Sequence, residues 1–483
     1  MKRRTAGLLS VFTIAFLVGV DVLATCGGGG GGGTGGMGSM GGMTETVFPV
    51  PWKVVNGADA LPQGGLAVYW FPASQVELEK SSLRNSRTLS LYSQQCVLMG
   101  VADVKTDVGQ KFAADAKLPI AVLADADGKV INKAVGGDDG KLKVAPVEKM
   151  LEAEMKQRES TVKGSLESAR DLMKKGDKDG AIAQFKNITA MKCMFPKQAR
   201  DAEQILRKLG VTGLEPVPPA PNFDPAVGAA IEKALKAGLM AENDADYLKA
   251  EKFYARARQL DPADPAPLRY LGELYRHQTG DWDKARTMFK AILDMPSDPL
   301  SRAVALHGIG KMTIHDGEFQ KGLHLMEQSA DVFPLALTYR NLAVYWHSEG
   351  DRVKADAYTK KALALDPEEP FNVVFAAAFL AGDQVNAEHV LKVARDNENL
   401  LCASYNLAAI YAQLGQKDKA LAFLQRHFYE YERNKSVRSK EMMEARVDAV
   451  FSSLLGSPEF MALTADADNR LQMPSMKGMG GGR

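Results

Sequence analysis

The feature that most limits what this chain can fold into is a small residue that keeps returning. Gly238, Gly272, Gly310 and Ala343 each sit in the middle of an apolar stretch, at intervals of roughly 34 residues, and Ala408 follows about two intervals later. A second ladder, Ala250, Ala285, Gly322, Ala355, Ala387 and Ala420, keeps the same interval. A large residue stands one helical turn beyond several of these rungs: Tyr254, Phe289, Met326 and Leu424. On a helix that spacing puts the small and the large residue on one face, where a neighbouring helix can approach closely. Turns precede the second helices at Gly280-Asp281, Gly317-Glu318, Gly350-Asp351, Gly382-Asp383 and Gly415-Gln416. Pro262, Pro296, Pro334 and Pro367 then stop the repeats, because a helix rarely continues through proline. Such a chain builds two-helix hairpins that bury their apolar faces only against one another.

The stretches at 247–262 (YLKAEKFYARARQLDP) and 352–367 (RVKADAYTKKALALDP) resemble the second helix of the tetratricopeptide repeat family. The resemblance implies a right-handed superhelix over 227–433 whose first helices line a concave groove. It implies binding of a protein or peptide, not a reaction. Counted from the rungs, the groove would present Arg269, Glu273, Arg276, His277, His307, Lys311, His315, Arg340 and His347, with Glu232, Asn243, Tyr405 and Gln413 toward its ends. Arginine and lysine hold carboxylates, so the partner this face suits is an acidic peptide or a chain terminus. The plainer reading is the solvated polar face of any amphipathic helix. Four of the seven histidines fall in this set. His307 and His315 lie roughly two turns apart on one helix, too far to share a metal unaided, so no metal site is expected. Histidines there fit a partner affinity that changes with pH.

Ahead of the array, 47–159 reads as a small α/β domain. Strands are expected over 64–71, 96–104, 118–125 and 129–135, with helices over 76–94, 108–117 and 149–159. This order resembles the thioredoxin fold, with Pro119 where that family carries a cis-proline and Asp127-Gly128 at its hairpin turn. The family's redox cysteines sit just past the first strand. Here residues 71–80 contain none and hold Ser74-x-x-Glu77, a capping box. The fold class expected is therefore a redox-inactive thioredoxin-like α/β domain followed by an all-α superhelix. Cys96 heads a strand and is expected to be a buried small apolar residue. A thioredoxin-type thiol enzyme acting through Cys96 is an alternative.

The remaining segments complete the plan. Lys2-Arg3-Arg4 and the apolar run 8–24 read as a signal peptide over 1–25, which implies export to a bacterial periplasm or cell envelope. Leu23-Ala24-Thr25-Cys26 is similar to the lipoprotein box, with Thr25 departing from its usual small residue. Lipidation of Cys26 and ordinary cleavage after Ala24 both stay open, and with them a membrane anchor. Residues 26–46 are a Gly/Met-rich tether, and 471–483 a Met/Gly-rich tail with Met473, Met476 and Met479. Thioethers suit Cu(I), so envelope copper handling by these segments is a second alternative. Residues 160–210 form one more helical hairpin, 211–226 a proline-rich linker, and 434–470 helices that cap the array.

A net charge of +1 with 25% charged residues gives no drive toward nucleic acid. The four cysteines, Cys26, Cys96, Cys193 and Cys402, are far apart, so neither a disulfide scaffold nor a zinc ribbon is expected. With no P-loop, dinucleotide fingerprint or nucleophile elbow, no enzyme and no cofactor is expected.

Overall fold

The computed structural model describes residues 47–57, 65–217, 219–365, 374–378, 386–432 and 434–468. The signal peptide, the tether with Cys26, the turn at Gly382-Asp383 and the Met-rich tail lie outside the described residues.

The N-terminal unit is built on a five-stranded mixed sheet. Its strands are β1 (Lys53–Val54), β2 (Leu66–Phe71), β3 (Val97–Val101), β4 (Ile120–Asp125) and β5 (Val130–Val135), in spatial order β1-β3-β2-β4-β5. β3 pairs in parallel with β1 and β2, while β4 runs antiparallel to β2 and β5. All residues of β2 (LAVYWF) are buried, which explains a strand without polar alternation. Largely exposed β5, with Asn132 and Lys133 turned to solvent, forms one edge. The peptide bond Leu118–Pro119 is cis, and Gly128 turns the β4–β5 hairpin at φ 74°.

The helix expected over 76–94 is broken. Gln75–Lys80, the 3-10 turn Ser82–Arg84 and Arg87–Ser93 are separate pieces, because Ser81 and Ser86 each cap a new start. The expected capping box forms only in part. Ser74 accepts from the Glu77 amide at 3.2 Å, but the Glu77 carboxylate takes the amide of Ala73 at 2.9 Å, not that of Ser74.

Two expectations for this region are corrected. The boundary at 159/160 falls inside one continuous helix, Val144–Lys174, since no proline or left-handed glycine stops it there. Trp70, Leu151, Phe185 and Leu206 belong to one core, so the sheet and the hairpin of Lys178–Ala190 and Pro196–Lys208 fold as one body. Second, Cys96 is not a buried apolar residue: it forms a disulfide with Cys193, with Cα atoms 5.8 Å apart. Cys96 lies at φ 59° in the turn before β3, and Cys193 lies in the turn between the hairpin helices. The bridge leaves no thiolate at Cys96 to serve as a nucleophile.

The proline-rich segment before the array is held down where it meets the first repeat. Arg87 donates to Asp261 (2.6 Å), to Asp264 (2.8 Å) and to the Asn222 carbonyl (2.7 Å). The Asn222 amide donates to Asp261 at 2.9 Å, and Phe223 stacks on Tyr92 with ring centres 4.5 Å apart. Tyr270 donates to the Val47 carbonyl at 3.2 Å. The sheet unit is thereby docked on the start of the array.

The array consists of stacked hairpins: Pro225–Asn243 with Tyr247–Leu260, Pro265–Glu273 with Trp282–Leu293, Pro299–His315 with Phe319–Val332, Ala336–Ser348 with Arg352–Leu365, then Ala387–Asp396, and Ser404–Gln413 with Lys417–Arg426. The rungs are close approaches. A Cβ on Gly238 would lie 2.2 Å from the Tyr254 ring, and one on Gly322 would lie 2.5 Å from the Gly310 carbonyl oxygen. Lys435–Val447, the turn Ala449–Leu454 and Pro458–Leu463 follow the last hairpin and share its core through Met442, Ala445, Phe451 and Phe460. Among the described residues, no helix is long and apolar enough to cross a membrane.

One buried acid sets a pH dependence for the first repeats. Tyr254 donates to Glu242 at 2.8 Å and Gln278 at 3.2 Å, yet burial outweighs both and pushes the Glu242 carboxyl from 4.5 up to about 7. A raised folded-state value means the contribution is fully present below pH 4.5 and is lost as pH rises through about 7. Glu242→Gln, which keeps the acceptor for Tyr254, should remove that slope and gain about 1–2 kcal/mol on wild type at pH 8. Thermal midpoints of both proteins from pH 5 to 8 check it; parallel curves would count against the assignment.

Candidate functional site on the inner face of the array

The first helices bring most of the expected polar set to one side, but this face is not an open, solvated groove. Arg269, Glu273, Arg276, His307, His315 and Arg340 are buried, and His277 and His347 are partly so. The reason is that these side chains satisfy one another and the C-terminal segment. Arg269 donates to Ser301 at 3.1 Å and lies over the Tyr270 ring. Arg276 pairs with Glu273 at 2.8 Å and contacts His277. His307 lies between Thr338 (3.1 Å) and Asn341 (3.4 Å). At the ends, Gln413 donates to the Ala378 carbonyl at 2.8 Å, and Tyr405 donates to Asp448 at 3.1 Å.

The centre of the site is an ion cluster that joins distant parts of the chain. Glu444, from the helix Lys435–Val447, lies 3.1 Å from Lys311 and pairs with His315, whose ring meets Trp282 edge-on at 5.0 Å. Burial works to raise the Glu444 carboxyl, but Lys311 and His315 overcome it and hold the group below the ordinary carboxylate range. For Lys311, burial pulls down while Glu444 and Glu441 pull harder, and the ammonium stays charged. The segment expected merely to cap the array therefore reaches its middle. Sequence reasoning did not assign Glu432, Glu441, Glu444 and Asp448 to the site. The signal available was the acid pair Glu441 and Glu444, one turn apart on one helix, with Asp448 just past its end.

Between the array and this segment lies a cavity of about 190 Å³. His277, Lys311 and Arg340 line it from one side, and Tyr431, Glu432, Glu441, Glu444 and Asp448 from the other. Two wide π turns, Leu274–Thr279 and His427–Tyr431, each supply part of the wall, and such turns recur at functional sites. Burial raises Asp448 from 3.8 to about 6 and Glu432 well above its ordinary value. Burial first, then Arg276 and Lys311, push His277 and His307 well below 6.5. These two histidines thus stay neutral near pH 7, and the expectation that they tune affinity around neutrality is corrected. His347 is lowered too, by burial and then by Arg352. Among the described residues, no group of three or more metal-ligating side chains converges.

The stacked hairpins and their charged inner face define the class as a helical-repeat protein. Residues 268–303 match the family model described as Tetratricopeptide repeat. It is 29% identical to the Protein CTR9 homolog of Arabidopsis thaliana over 38% of this chain and 21% of that protein. It is 25% identical to the Photosystem I assembly protein Ycf3 of Rippkaea orientalis (strain PCC 8801 / RF-1) over 25% of this chain and 69% of that one. The chain thus spans about a fifth of the first of these relatives. Similar solved structures include MamA, at 18% identity over 41% of this chain and 95% of that one, with a TM-score of 0.23. A tetratricopeptide repeat protein from Parabacteroides merdae ATCC 43184 matches at 15% identity over 50% of this chain and 99% of that one, with a TM-score of 0.29.

Proposed function

We propose that this chain is an exported scaffold whose tetratricopeptide array holds an acidic protein or peptide segment on its inner face, fronted by a redox-inactive thioredoxin-like module. The observation that carries the reading is the Lys311–His315 pair taking the Glu444 carboxylate of a helix laid against the array. Cations set among buried first helices recognise acidic groups far better than solvated ones do. Three further observations support the rest. The Cys96–Cys193 disulfide fits an oxidising compartment. The strand order β1-β3-β2-β4-β5 fits a thioredoxin-like sheet. The helix start that carries the thiols in that family is here capped by Ser74.

Full-length protein immobilised on beads should retain acidic proteins from an envelope extract and release them as salt rises toward ~0.5 M. Lys311→Met with Arg340→Met, checked for folding by circular dichroism, should cut retention about tenfold. Retention indifferent to salt and to both substitutions would overturn the reading.

A further inference from the structure

The helix Lys435–Val447 is anchored unequally on its two sides. Met442 and Ala445 enter the core of the last hairpin, which holds this end of the helix in place. Toward the middle of the array its contacts are polar. Glu444 meets Lys311 and His315, the Lys440 ammonium lies 4.8 Å from the Trp282 ring centre, and Ser436 sits against Gly280. None of its residues belongs to the apolar core of the central repeats. An interface centred on buried ion pairs, with no residue in the apolar core of the central repeats, depends on a carboxylate that a competing acid can supply.

We infer that this helix is a built-in occupant of the inner face, and that the external partner is an acidic helix with two carboxylates spaced as Glu441 and Glu444 are and a third just past its C-terminal end, as Asp448 is. This rests on the scaffold reading above and adds its regulation. Glu441 and Glu444 lie one turn apart on the helix, and Asp448 stands just past its end, on extended backbone, lining the same cavity. Glu444 takes Lys311 and His315, Asp448 accepts from Tyr405, and Glu441 stands 3.7 Å from His427. A partner helix with that pattern meets the same cations and hydroxyl once the resident helix moves aside. Tethering gives the resident helix an effective concentration of about a millimolar, so partners that lack the pattern do not gain entry.

The probe is a labelled peptide of residues 434–448, with a control peptide in which Glu441, Glu444 and Asp448 are replaced by their amides. Titrated by fluorescence anisotropy, it should bind full-length E441Q/E444Q/D448N at least about tenfold more tightly than wild type, because the neutral resident helix competes poorly. Adding Lys311→Met to that variant should abolish the gain, and the control peptide should not bind. Hydrogen exchange on the unmodified protein decides the matter if the variant does not fold. Peptide at several millimolar should speed exchange of amides in 435–447 and leave 417–426 unchanged. Equal binding to wild type and a folded variant, or no exchange response, overturns the inference. If salt-sensitive capture of acidic proteins persists in either case, the scaffold reading stands without its resident competitor. If the control peptide, or a small dicarboxylate, binds as well as the probe, the site does not read an acidic helix and the inference falls.

Discussion

Reducing the Cys96–Cys193 disulfide should cost the N-terminal unit about 4 kcal/mol and lower its melting transition by about 10 °C. The bridge closes a loop of sequence separation 97, and cross-linking a loop of that length removes much of the unfolded chain's freedom. It ties the start of β3 to the turn between Lys178–Ala190 and Pro196–Lys208, which are far apart in sequence but share one core. Trp70, Phe185 and Leu206 in that core are untouched by reduction, so the reduced unit should still fold at 25 °C. Calorimetry on Cys96→Ser/Cys193→Ser, which leaves the disulfide-bonded Cys402 untouched, beside the wild type should show the early transition move while that of the array stays. An unmoved early transition would mean that the bridge adds nothing.

Phe289→Ala should destabilise the array by about 4 kcal/mol, near the upper end for a single core truncation. The ring is fully buried and gripped from both sides by first helices. A Cβ on Gly272 or on Gly308 would lie 2.4 Å from it, so both backbones touch the ring directly. Removing the ring opens a void between two successive hairpins, and the helices can close it only by losing contacts elsewhere. Repeat arrays derive cohesion from such neighbour contacts, so the loss should split the array's unfolding into two phases. Urea titration followed by far-ultraviolet circular dichroism reads both effects. A loss below about 1 kcal/mol would mean the neighbours close over the void.

The rungs were legible before any coordinates because they are local. The spacing of Gly238, Gly272 and Gly310, and of the large residues that cover them, follows from the geometry of a helix and the width of a hairpin. The left-handed glycines at 280, 317, 350 and 415 were legible for the same reason. So were four of the five strands, marked by apolar runs and the Asp127-Gly128 turn. Charge and small polar residues near 160 resemble a boundary within Val144–Lys174, while the core beneath, which includes Met155 and Val162, keeps the helix continuous.

The candidate site was legible only as a list. Counting from the rungs put Arg269, Glu273, Arg276, His277, His307, Lys311, His315, Arg340 and His347 on the first helices, but not which of them face one another. Their partners come from elsewhere in the chain: Thr338 for His307, Ser301 for Arg269, Glu444 for Lys311 and His315. The amino-acid sequence by itself determined the repeat, its period and the absence of thiols at the capped helix start. Each is a matter of spacing within a few turns of chain. Tertiary structure alone decided the Cys96–Cys193 pairing, the neutrality of His277 and His307, and the occupation of the inner face by the C-terminal helix. These depend on burial and on charges brought together from distant positions, and no local periodicity encodes either.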